Sequence, residues 1–118
     1  MLAPCLSTRT DDERHAVVIR VIGPLVTVGH VDALCASVVA VPVRYGVVVD
    51  LGEVTDISQV AVEGMRDLAM ERGRSGARFA IACNALEVRT YLVIADLDTL
   101  APVVHTTEQA LPLVALAA

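Results

Sequence analysis

A chain of 118 residues is the size of a single domain, long enough to bury roughly two-thirds of the surface its unfolded form exposes. It is 55% hydrophobic but only 3% aromatic, with a net charge of −5 and a pI near 5.0, which excludes a base-stacking platform and disfavours a phosphate-backbone binder. All nine basic residues are Arg, so Schiff-base chemistry and the lysine of a phosphate-cradling P-loop are excluded as well.

The chain opens on a polar, turn-rich stretch. Residues 1–12 are expected to form a flexible tail and residues 13–118 the domain. The N-terminus has neither a basic region nor an apolar signal core, and no apolar run approaches the ~20 residues that span a bilayer. A cytoplasmic location without membrane insertion is the expectation. His15–Ile22 reads as a Val- and Ile-rich strand, broken by Gly23-Pro24, with Leu25–Val28 as a short neighbouring strand. The period then changes. Val31, Leu34, Cys35 and Val38 recur at helical spacing, and Pro42 and Gly46 bound that helix.

Gly46–Leu51 is a near-continuous apolar run containing Asp50, the pattern of a strand in the middle of a sheet. A second helix follows from Gln59 to Gly73. Ala61, Met65, Leu68 and Ala69 form its inner stripe, while Glu63, Arg66, Asp67, Glu71 and Arg74 face water. Arg78–Cys83 is another strand, and Asn84 is placed to cap a helix over Ala85–Ala95. Asp96 to Pro102 reads as a turn and Val103–His105 as a last short strand. Thr106-Thr107-Glu108 opens a final helix that Pro112 kinks or shortens. Strands alternating with helices give a largely parallel sheet with right-handed crossovers, an α/β fold.

Little in this pattern supports enzymatic chemistry. Cys5, Cys35 and Cys83 match no zinc or redox spacing, and His15, His30 and His105 are scattered singly. Ser7, Ser37, Ser58 and Ser75 lack a nucleophile-elbow context. A receiver domain needs an acidic cluster and a Lys, and Asp50 has apolar neighbours instead. No catalytic residue, cofactor site or metal site is assigned. The informative stretch is the approach to the central helix, where unpaired N–H groups favour negative charge and a phosphorylated hydroxyl would change the local charge by about −2.

The chain resembles the STAS domains (sulfate transporter and anti-sigma factor antagonist) from about His15 to Ala115. Gly23-Pro24-Leu25 resembles the family's early G-x-L turn, and Val49-Asp50-Leu51-Gly52-Glu53-Val54 its central V-D-L-S-x-V strand and turn. Downstream, Val88-Arg89, Leu97-Asp98-Thr99-Leu100 and Thr107-Glu108-Gln109-Ala110-Leu111 follow in the family's order and spacing. The resemblance implies a single domain with a four- to five-stranded mixed sheet and about four helices, mainly on one face. It also implies a non-enzymatic, anti-sigma factor antagonist-like regulator in bacterial stress signalling. Its partner would be an anti-sigma factor of the serine kinase type. The alternative is a STAS subunit of a transporter ATPase complex or a signalling scaffold. A homodimer through exposed strand edges is compatible with either.

The implied partner-binding segment is Asp56, Ile57, Ser58, Gln59, Val60, Ala61, Glu63 and Gly64. Here the chain departs from the family. Laid without gaps, the switch motif D-S-S-G-L falls on Ser58-Gln59-Val60-Ala61-Val62, so the phosphorylated Ser is replaced by Gln59. A one-residue shift would offer Ser58 as the phosphosite, with Thr55 a weaker candidate; against this, Ser58 reads as the N-cap of the helix. Val26 stands where many antagonists are acidic. Asp96 replaces a turn Gly, and Asp tolerates the left-handed conformation better than most residues.

Overall fold

A computed structural model of the protein describes residues 5–115. Five strands form one sheet in the order β1-β2-β3-β4-β5: β1 (Cys5–Asp11), β2 (Ala16–Leu25), β3 (Gly46–Ile57), β4 (Phe79–Ala82) and β5 (Val103–Val104). β1 is antiparallel to β2, and the remaining pairs are parallel. The helices among the described residues are α1 (Val28–Val39), α2 (Gln59–Arg74), α3 (Leu86–Ile94), the single-turn α4 (Leu97–Leu100) and α5 (Thr107–Val114). This is the mixed α/β sheet the sequence implies.

The strand order explains the sidedness. From β2 to β5 each strand is laid beside its predecessor in one direction. Right-handed crossovers that never reverse direction place every connecting helix on the same face. Accordingly Val17, Ile19, Val21, Val47, Val49, Leu51, Phe79 and Ile81 form one core with α1, α2, α3 and α4. The opposite face carries small residues, Ala16, Val18, Val48, Ala80 and Ala82, closed by Ala110, Leu111 and Val114 of α5. That closure is tight, since a Cβ on Gly46 would run into the backbone of Val114.

Three expectations need correction. The first concerns the tail. From Cys5 onward it is an edge strand, paired residue for residue with β2. Its exposed polar sequence hid this, because only Leu6 reaches the core. The hairpin turn has neither Gly nor Pro; Asp11 instead accepts the Arg14 N–H (3.1 Å) and His15 takes a positive φ of 52°. The second concerns Gly23-Pro24, which does not break β2. Gly23 takes a positive φ of 103° beside a register shift against β3, and the strand continues through Pro24, which aligns with Asp56. No separate strand forms at Leu25–Val28. Thr27 instead caps α1, four residues before the hydrophobic period begins at Val31, through a capping box with His30.

The third concerns β3, which runs on to Ile57, six residues beyond its apolar run. Register shifts against β2 fall between Arg20 and Ile22 and between Gly23 and Pro24. The extra residues change the burial period, so that Leu51, Val54 and Ile57 point inward. Smaller differences lie downstream. Ala85, not Asn84, is the N-cap of α3, and it makes no side-chain cap bond. The turn after α3 contains α4, entered through Asp96 at φ 58°, the left-handed conformation expected there. α2 ends in a Schellman motif: Ala77 N–H donates to Arg72 C=O (2.8 Å) and Gly76 N–H, at φ +72°, to Gly73 C=O (3.1 Å).

Candidate functional site

The strand order never reverses, so the sheet lacks the switch point at which open α/β sheets usually form a ligand crevice. The carboxylate at its centre is also occupied. Asp50 accepts bonds from the Gly52 N–H (2.8 Å), the Arg20 Nε–H (3.2 Å) and the Thr107 hydroxyl (3.1 Å). These bonds tie β2, β3 and the start of α5 together and leave Asp50 a structural role. Attention moves to the surface where β3 hands over to α2.

Ser58 sits at that handover with φ −113° and ψ 167°, the extended geometry of an N-cap. Its oxygen accepts the Ala61 N–H (3.2 Å), and its hydroxyl donates to the Val26 carbonyl (2.6 Å). The Ser58 N–H donates to the Leu25 carbonyl (3.2 Å). On the other side, the Val26 and Thr27 N–H groups both donate to His30 Nδ1 (3.1 and 3.2 Å). His30 Nδ1 is thus an acceptor in a buried capping box. The starts of α1 and α2 are joined back to back, with Ser58 as the joint.

The predicted contact segment divides in two. Asp56, Gln59 and Glu63 are exposed, Val60 is 44% exposed, and Ser58 is half-buried. Asp56 accepts the following N–H, from Ile57 (2.9 Å), and the Gln59 amide donates to Glu63 Oε1 (3.2 Å) one turn on. Ile57 and Ala61, 7% and 0% exposed, belong to the core and present no side chain to a partner. Gly64 is a packing residue: a Cβ there would collide with the Val31 side chain, so α1 and α2 approach closely only because this position is Gly.

The helix expected over Ala85–Ala95 is present as α3, but its exposed apolar face was not among the predicted contact residues. Leu86 (77% exposed), Tyr91 (50%), Val93 (48%) and Ile94 (75%) all meet solvent, while Val88 and Leu92 alone fill its core-facing stripe. Between α2 and α3 lies a groove of about 360 Å³, lined by Gln59, Val62, Glu63, Arg66, Tyr91, Ile94 and Ala95. A signal was present in the sequence. A nine-residue helix that needs two inward residues but carries four further large apolar ones has more apolar surface than its own core can use.

No family model matches the chain, and no curated protein matches it in sequence. Solved structures do match in fold. An anti-sigma factor antagonist from Mycobacterium paratuberculosis shares 22% identity at a TM-score of 0.75, over 93% of this chain and 94% of that one. The Bacillus cell fate determinant SpoIIAA, in its phosphorylated form, shares 16% at 0.66, over 93% and 97%. An anti-sigma factor antagonist STAS domain from Rhodobacter sphaeroides shares 16% at 0.53, over 67% and 85%. At these identities the likeness is one of fold, and the fold is the STAS type.

Proposed function

We propose that this chain is a non-enzymatic regulator of the anti-sigma factor antagonist class, and that its partner is an anti-sigma factor of the serine kinase type. The observation that carries this is the apolar surface of α3, with Tyr91 and Ile94 lining the groove beside Gln59 and Glu63 of α2 and Leu86 and Val93 exposed next to Ile94, on a fold shared with anti-sigma factor antagonists. A monomeric soluble domain rarely leaves so many large apolar residues together without a macromolecular partner. Asp56, Gln59 and Glu63 supply the polar rim that such an interface carries.

Regulation by phosphate is not built into this surface in the usual way. Gln59 offers no hydroxyl, and the Ser58 hydroxyl already donates to a carbonyl. A phosphate on Ser58 would remove that donor and set a dianion against the Val26 oxygen, at the cost of both turns it joins. The contact is therefore constitutive with respect to phosphorylation at Ser58. Incubation with purified anti-sigma factor kinases and ATP, followed by peptide-mapping mass spectrometry, should leave Ser58 unmodified. An adduct mapped to Ser58 would contradict this and restore the switch.

A further inference from the structure

The two edges of the sheet are managed differently. β5 is two residues long, too short to template another strand. Among the described residues β1 spans Cys5–Asp11, is regular over that span, and contains no Pro, Lys or bulge. Proteins normally blunt such an edge, because its outward N–H and C=O groups are ready to pair. Beside this edge, on the face of α1, lies a groove of about 360 Å³. Thr8, Thr10, Val17, Ser37, Ala40, Val41 and Pro42 line it, and only Ser37 and the two threonines are polar.

We propose that β1 pairs with β1 of a second copy, antiparallel about a two-fold axis through Thr8, to give one continuous ten-stranded sheet. An antiparallel edge is self-complementary under such an axis. This register uses all seven described residues of β1. Cys5 then faces Asp11 of the second copy, Leu6 faces Thr10, and Ser7 faces Arg9, so no two like charges stand directly opposite. The pleat puts Leu6, Thr8 and Thr10 on the α1 face, because their partners Val21, Ile19 and Val17 belong to the core under α1. Leu6 of each copy, itself only partly buried, therefore arrives at the mouth of the other copy's groove. Edge and groove, two separate features, are satisfied by the same occupant. A strand pair with one anchored leucine per side is smaller than the ~1,200 Å² of a stable specific interface, so the dimer is weak and concentration-dependent. The α2–α3 groove lies on other elements and is not consumed.

Sedimentation equilibrium from about 10 µM to 1 mM should show the mass climbing from 12.4 kDa toward twice that value. Two substitutions at the groove mouth, Ala40→Arg and Thr10→Arg, should each hold the chain monomeric; both positions are exposed, so folding is retained and circular dichroism verifies it. In a background with Cys5→Ala and Cys35→Ala, Thr8→Cys should form a symmetric disulfide under mild oxidation, since facing residues in an antiparallel pair lie within disulfide reach. A chain that stays monomeric at 1 mM overturns the proposal. So does a dimer that survives both Arg substitutions, or a Thr8→Cys chain that forms no cross-link.

Discussion

Ser58 belongs to two turns at once. It caps α2 through the Ala61 N–H and ties that cap to the entry of α1 through the Val26 carbonyl. Ser58→Ala removes a cap and leaves a half-buried carbonyl short of a donor. The expected loss is about 1–2 kcal/mol, seen as a lower urea midpoint with an unchanged slope. An unshifted midpoint would mean that the joint contributes nothing. The capping role was legible, because a Ser just ahead of an amphipathic run has few other uses. The second bond was not, since Val26 lies 32 positions away in the chain. The cysteines give a second test at this scale. Cys5 is exposed, Cys35 is partly covered and Cys83 is buried. Burial pushes the thiols of Cys35 and Cys83 up, and Asp32 and Asp67 add to the effect at Cys35. Raised values keep both thiols protonated and unreactive at neutral pH. Alkylation of the native protein should therefore run Cys5 first, then Cys35, with Cys83 protected until unfolding; rapid labelling of Cys83 would contradict its placement.

At the scale of elements, the packing of α1 on α2 depends on one missing side chain. Gly64→Ala drives a methyl group into Val31 and forces the helices apart, an overpacking that costs about 1–3 kcal/mol. Denaturant unfolding reads this directly, and an unchanged or raised stability would show that the two helices have room to spare. Gly64 had entered the sequence reading as a contact residue, and its packing role could not be read there. A glycine on a helix face looks the same whether it meets a partner or a neighbouring helix. The helices themselves were legible from their 3.6-residue period, and α2 was placed almost to the residue. The strands were less so. β1 carries one core residue in seven, too few to set up an alternation, and it exists because β2 offers it an edge. The far half of β3 was hidden by its bulges, which replace the two-residue burial period with a longer one.

At the scale of the molecule, sidedness is the organising fact. A strand order without reversal puts four helices on one face and α5 on the other. It leaves no crevice at a strand-order reversal, and the exposed apolar residues of α3 beside α2 form a surface suited to a protein. No helix among the described residues is long and apolar enough to cross a membrane. The partner face can be tested without disturbing the fold, because Ile94 is 75% exposed and carries none of the core. Calorimetric titration of the wild-type chain and of Ile94→Asp against purified anti-sigma factor kinases tests this partner face. At least one kinase should bind the wild-type chain. Ile94→Asp should weaken that binding at least tenfold while the unfolding midpoint stays unchanged, the behaviour of a contact at the centre of an interface. Absence of binding to every such kinase, or equal binding by both chains, would contradict the proposed partner face.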